Sequence, residues 1–330
     1  MSVSKIVAAA ASGVGGAGLD VDEVFDTFLY SGNSSTRSIN NGIDVSGEGG
    51  LVWIKKRDGT TTHSLVDSER GDGKMLQSNS TDAEISNVGY AQALTSTGFT
   101  VYDWTTVNNS GDDYVAWTFR KAEKFFDVVQ YSGNGSHGRT VSHNLGSVPG
   151  MILIKRTNSA DDWRVFHRSQ SNKYAALNST GVFGTDGGNI FGDPGDGTAT
   201  APTSTNFTVA NDNSVNGSGS TYIAYLFAHN DDDGGFGPDG DQDIIKCGSY
   251  TGNGNSTGPT VDLGFEPQWI LQKSATKTNT DWAIADVMRG FTADGVYQRL
   301  RPNRDDAEGS ETQLAPTSTG FKVVGTASDV

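Results

Sequence analysis

Apolar and polar residues alternate in short runs along this chain, and clusters of turn-forming residues separate the runs. In YVAWTF, Val115, Trp117 and Phe119 fall on one face and Tyr114, Ala116 and Thr118 on the other, the period of two that a β-strand requires. YIAYLF repeats this with Ile223, Tyr225 and Phe227. FFDVVQY, MILIKR and WRVFHR are rich in β-branched and aromatic residues, which favour the pleated backbone. Long helix-building runs of Ala, Leu, Glu and Lys are missing. The pattern predicts an all-β protein of short strands and many turns.

The runs recur in a fixed order. YSGNG at 131–135 is matched by YSGNS from Tyr30 and YTGNG from Tyr250. An apolar run ending in lysine follows each, with Lys55 in LVWIKK, Lys155 in MILIKR and Lys273 in WILQKS. A Leu-Gly-x-x-Pro step precedes the second and third runs, at Leu145 and Leu263, and a Trp follows them, at Trp163 and Trp282. The first repeat has His63 near that place and has diverged. TSTGFTV, TSTNFTV and TSTGFKV come next, and repeats one and two close on YVAWTF and YIAYLFA. Phe99 to Tyr114 and Phe207 to Tyr222 are both 15 residues; Lys155 to Lys273 and Leu145 to Leu263 are both 118. Ordered matches at constant offsets indicate duplication, and a unit this long is a domain rather than a solenoid repeat of roughly 20–50 residues.

The expected organisation is an Ala/Gly-rich N-terminal arm at 1–21, repeat one at 22–124, repeat two at 125–229, an acidic Gly/Asp linker at 230–243 and repeat three at 244–330. Five to seven strand-like runs per complete unit suit a tandem of two-layer antiparallel β-sandwiches. Among these, a jelly roll resembling the concanavalin-type lectins is the first choice. Adding the 15-residue spacing to Phe321 places a third closing Tyr at 336, beyond Val330. Either the polypeptide continues or another chain supplies that strand, and the spacing favours continuation. The linker predicts that repeats one and two pack as a pair and that repeat three is placed more freely.

Composition narrows the chemistry. The 330 residues include 43 glycines, one cysteine and a formal charge of −15, which disfavours nucleic acid and anionic lipid as partners. A lone cysteine, Cys247, excludes a disulfide framework and a thiolate zinc site and reads as a small core residue. No run reaches the roughly 20 apolar residues of a membrane-spanning helix. KIVAAAASG is too short and too weakly apolar for a signal peptide; the arm reads as an anchor, with Lys5, Ile6 and Val7 as its docking residues.

Gly133, Gly135 and Gly138 formally spell G-x-G-x-x-G, but a strand-like segment follows where a phosphate loop needs a helix, so these glycines read as a turn. His63, His137, His143, His167 and His229 form no zinc spacing and read as strand or surface residues. There is no G-x-S-x-G elbow, and no carboxylate pair is singled out, so no enzyme is read. Asp239, Asp241 and Asp243 alternate as calcium ligands can, although Ile244 stands at the sixth position and no Glu closes an EF-hand; they are the only metal candidate and calcium the only cofactor. Trp53, Trp163, Trp269 and Trp282 read as core. Lys55, Lys155 and Lys273 read as strand-edge residues whose heads snorkel to water.

The Ala/Gly-rich start running into DVDEVFDTFLYSGN, the block YSGNG…HNLGSVPGMILIKR, DDWRVFH and NGSGSTYIAYLFA together resemble the tandem repeats of uncharacterised structural proteins of marine bacteriophages. The resemblance spans nearly the whole chain. It is specific in repeat two, weaker in repeat one, where the Leu-Gly-x-x-Pro step and the Trp are lost, and cut short in repeat three. It implies a non-enzymatic virion protein, a tail fibre or similar appendage, assembled in the host cytoplasm and exposed on the particle. Other virion proteins would be its partners and a homotrimer its state as a fibre. A capsid decoration protein and a glycan-binding module for the host surface are the alternatives.

Overall fold

The computed structural model describes residues 18–86 and 92–326; the arm residues Lys5, Ile6 and Val7 lie outside them. The fold is all-β and built from several antiparallel sheets. Helix among the described residues is limited to single turns such as Val21–Val24 and Thr105–Asn108.

In repeat one an opening strand (Phe25–Ser31) lies beside a closing strand (Asp113–Arg120). The closing strand pairs in turn with a lysine-bearing strand (Gly50–Lys56), and that strand pairs with a short joint strand (Ser64–Asp67). Repeat two has the same order: Phe126–Ser132, Thr221–Phe227, Met151–Arg156 and Arg164–His167. Register is conserved with it. Phe25 opposes Phe119 and Tyr30 opposes Tyr114, as Phe126 opposes Phe227 and Tyr131 opposes Tyr222. A smaller sheet faces each larger one, Arg37–Asn40 with Gly98–Val101 in repeat one and Arg139–Ser142 with Asn206–Val209 in repeat two.

The alternation along these strands serves two cores at once. Val52, Ile54, Tyr114 and Ala116 point toward the facing sheet and pack with Ile39, Phe99 and Val101. Ile152, Ile154, Tyr222 and Leu226 do the same with Phe207 and Val209. The opposite faces carry Leu51, Trp53, Trp117 and Phe119 from repeat one, Leu153, Tyr225 and Phe227 from repeat two, and Trp282 and Ile284 from repeat three. All of these join one central cluster. Strands buried on both faces must be apolar at nearly every position, which is why the lysine-bearing runs show little polar alternation.

Repeat three has the lysine-bearing strand Trp269–Gln272, the joint strand Ala283–Asp286 and a facing sheet of Thr260–Asp262, Gly320–Val323 and Leu314–Thr317. Its YTGNG segment, residues 250–254, forms no strand. In repeats one and two the opening strand has a single sheet neighbour, the closing strand. Among the described residues of repeat three no strand occupies that place, so the opening segment has no ladder to join.

Repeat three is not loosely tethered. Residues 230–243 pack rather than span: Phe236 is buried with its ring 6.3 Å from that of Phe125, and Gly237 N–H donates to the Leu19 carbonyl over 3.0 Å. The Asn230 side-chain oxygen accepts from the N–H groups of Ile244 and Ile245. All the acidic residues of this segment except the half-buried Asp243 face water, while its one aromatic ring enters the central core, an arrangement that charge content alone does not disclose.

Candidate functional site

The three repeats meet at equivalent joints. Trp163 of repeat two donates its indole N–H to the Gln77 carbonyl of repeat one over 2.9 Å. Trp282 of repeat three donates to the Ala176 carbonyl of repeat two over 3.1 Å. His63 of repeat one uses Nε2 toward the Arg301 carbonyl of repeat three over 3.0 Å. Within each repeat the backbone N–H of the ring residue is held by an asparagine side chain: Asn79 for His63 (3.1 Å), Asn178 for Trp163 (2.9 Å) and Asn303 for Trp282 (2.9 Å). The accepting carbonyl always lies two residues before the equivalent asparagine of the neighbouring repeat, Gln77 before Asn79, Ala176 before Asn178 and Arg301 before Asn303. Backbone contacts repeat the cycle in the other sense, Glu84 to Thr157 (2.8 Å), Phe183 to Ala275 (3.2 Å) and Glu308 to Arg57 (2.7 Å). One joint used three times closes the repeats into a pseudo-threefold ring.

His63 is fully buried, and Trp53 donates to its Nδ1 over 2.9 Å. A neutral ring then carries its proton on Nε2 and donates to Arg301. Burial, reinforced by the Lys55 charge, pushes the His63 pKa well below its usual value.

The lysines correct the strand-edge reading. Lys55 and Lys155 are completely buried. Lys155 Nζ donates to the carbonyls of Arg156 and, across the joint, of Thr81; Lys55 Nζ donates to those of Lys56 and Gly59. Burial lowers both pKa values to about 8. Lys273 reaches Thr280 over 2.8 Å and, across the next joint, Thr180 over 3.5 Å.

Closer to the axis, Asp67 and Arg70 form a fully buried ion pair at 2.6 Å, and Asp286 and Arg289 one at 2.7 Å. Closing strands of neighbouring repeats supply the remaining partners. Tyr225 of repeat two donates its hydroxyl to Asp67 of repeat one over 2.7 Å, and Trp117 of repeat one donates its indole to Asp286 of repeat three over 2.9 Å. The corresponding position of repeat two is His167, whose Nδ1 accepts from Ser169 N–H and whose pKa burial lowers to about 4.

His167 lines a wide cleft. Of about 830 Å³, it runs between residues 244–254 and the strand Trp269–Gln272, and Phe119 and Phe227 line its inner wall. Both polar atoms of the Gln272 amide and the Trp269 indole nitrogen are buried there without a hydrogen-bond partner. Cys247 lines the same cleft, with its pKa pushed to about 12 by burial, which leaves the thiol unreactive.

The remaining sequence candidates separate. Asp239, Asp241 and Asp243 are not gathered, and no metal-holding group of three His, Cys, Asp or Glu occurs among the described residues. Asp239 and Asp241 are exposed, and the Asp243 carboxylate accepts the N–H groups of Asp232 and Gly234 instead. Gly133 lies in the loop after the opening strand, where a Cβ would come within 2.1 Å of the Gly217 carbonyl oxygen. Trp53, Trp163 and Trp282 are core, while Trp269 is half-buried on the cleft wall. The Asp-x-x-Arg pairs were missed, although DSER at 67–70 and DVMR at 286–289 recur at one place in the repeat.

Residues 20–330 match the family model described as a domain of unknown function (DUF7483). The chain belongs to this family. No curated protein matches it, and no solved structure does. The DUF7483 match runs over all three repeats as one span, in keeping with a ring that only the three together close.

Proposed function

We propose that this DUF7483 chain is a non-enzymatic structural protein of a bacteriophage virion, an appendage of the tail-fibre kind anchored by its N-terminal arm. The observation that carries the reading is where the buried chemistry goes. His63, Lys55, Asp67, Arg70, Tyr225, Asp286 and Arg289 would be the raw material of an active site, and each is engaged in packing within one repeat or at the joints between repeats. Three copies of a unit set about one axis form a rigid body suited to bearing load. The resemblance of its repeats to those of marine phage structural proteins supplies the setting: a protein assembled in the host cytoplasm and exposed on the particle, with other virion proteins as partners.

Each repeat is, in this reading, a jelly-roll sandwich of the concanavalin-lectin kind. The order first–last–third in the larger sheet, with second beside next-to-last in the facing sheet, supports that topology.

Electron microscopy of phage particles labelled with an antibody to residues 244–326 tests the reading. Label on the tail is expected. Label over the head would replace the appendage by a capsid decoration, and particles without the protein would overturn both.

A further inference from the structure

We propose that the joint between repeats one and three is an acid-operated latch: protonation of His63 opens this joint while the other two stay closed. The ring residues of the three joints differ in one chemical respect. Trp163 and Trp282 donate through indole N–H groups, which do not titrate, and His63 donates through an imidazole, which does.

Both nitrogens of the His63 ring are committed. Trp53 donates to Nδ1 over 2.9 Å, and an indole nitrogen can only donate. A second proton on the ring has to go on Nδ1, where it meets the Trp53 N–H. That hydrogen bond is then lost, and two donors face each other in a fully buried site. Burial holds the ring neutral, and the Lys55 and Arg289 charges act in the same direction. The carboxylates of the joint already serve other cations. Asp281 and Asp306 pair with Arg301 and Arg304, Glu308 pairs with Arg57 and Arg289, and Asp58 and Asp305 support the Lys55 ammonium. An imidazolium adds one more cation to a set whose carboxylates are taken.

Opening relieves this conflict at the one joint that the polypeptide does not tether. Repeat one runs directly into repeat two, and residues 230–243 connect two to three. Repeats one and three meet through contacts alone. Thr61 N–H donates to the Asp305 carbonyl over 2.9 Å, Glu308 N–H to the Arg57 carbonyl over 2.7 Å, and the Ser78 hydroxyl to the Pro302 carbonyl over 2.7 Å. The two main contact segments, 57–63 and 301–308, lie outside strands, so the latch releases without unpairing a sheet.

The closed joint binds fewer protons than the open one, so acid favours opening. In the open joint His63 regains an ordinary pKa of about 6.5, and the opening equilibrium rises about tenfold for each pH unit below that value. Aspartate and glutamate, with ordinary values of about 4, enter only below this window. His143 and His167 belong to repeat two and bond within it, His143 Nε2 with the Thr203 carbonyl and His167 Nδ1 with Ser169 N–H.

Amide hydrogen exchange of the whole 330-residue protein at pH 7, 6 and 5, corrected for intrinsic rates, tests the latch. Protection of Thr61 and Glu308 should fall about 25-fold from pH 7 to pH 5. Glu84 and Asp161, which bond across the joint of repeats one and two, and Phe183, which bonds across that of two and three, should keep theirs. His63→Gln should flatten the response at Thr61 and Glu308. So should the double variant Trp53→Leu/His63→Trp, which gives this joint the side chains of the other two. An equal loss of protection at all three joints would mean global unfolding and would overturn the proposal. Unchanged protection at Thr61 and Glu308, or the same loss in both variants, would overturn it too.

Discussion

Trp53 donates its indole N–H to Nδ1 of His63 over 2.9 Å, with the ring centroids 5.8 Å apart and nearly perpendicular. Repeats two and three have leucine where Trp53 stands, Leu153 and Leu271, and tryptophan where His63 stands. Bulk has been exchanged between two touching positions, and His63 still makes the joint hydrogen bond that Trp163 and Trp282 make.

The exchange predicts strong coupling. Trp53→Leu alone leaves a cavity and an unpaired imidazole nitrogen, and should cost about 3–5 kcal/mol. His63→Trp alone overpacks the joint and orphans the Trp53 N–H, for a loss of about 2–4 kcal/mol. The double variant rebuilds the pair used by the other repeats and should recover about 2 kcal/mol or more of the summed loss. Urea unfolding of the four proteins measures this; additive losses would refute the exchange.

His63 also makes one joint sensitive to acid. Its folded pKa lies well below the ordinary value, so the folded state binds fewer protons than the unfolded chain. The associated stability is complete above the unfolded pKa of about 6.5 and declines as pH falls through it. His143 and His167 are lowered too and act in the same direction. His63→Gln keeps a donor and an acceptor without the titration. Its stability should fall less steeply from pH 7 to pH 5 than that of the parent; equal slopes would show that His63 is not the sensor.

At alkaline pH the buried lysines act. The folded pKa of Lys155 is about 8, below the unfolded value of about 10.4. The folded state loses its proton first, and Lys155 adds stability as pH rises between these values. The Tm of Lys155→Met relative to the parent should therefore be most favourable near pH 7 and should decline toward pH 10. A difference that stays constant with pH would place the ammonium in contact with water.

Near the axis, Arg70→Met would strand the fully buried Asp67 carboxylate and should cost about 3–5 kcal/mol. Tyr225→Phe removes one hydrogen bond to that carboxylate and should cost about 1.5–3 kcal/mol. Thermal unfolding that leaves Arg70→Met as stable as the parent would mean that the pair is hydrated.

Strands were legible because their signal is local. The alternation in YVAWTF and the recurrence of YSGN identified the repeats and the all-β class. Ring closure was not legible, because a joint is a contact between residues far apart in sequence, such as His63 with Arg301. Lys55 and Lys155 misled for the same reason: a lysine at the end of an apolar run looks like a snorkelling residue until a second repeat covers it. Residues 230–243 misled because their charge signals solvent exposure, while the single ring of Phe236 decides their packing. The cleft was not legible, because its walls come from different repeats, His167 from the second and Trp269 from the third.

The central claim is that repeats one and three meet directly and close the ring. The Glu308 N–H donates to the Arg57 carbonyl over 2.7 Å, and their side chains are ion-paired at 2.8 Å. An Arg57→Cys/Glu308→Cys protein in a Cys247→Ser background measures this directly, by mass spectrometry after mild oxidation. The ring predicts a disulfide within a single chain, formed in nearly every molecule. Free thiols, or bridges only between chains, would contradict it.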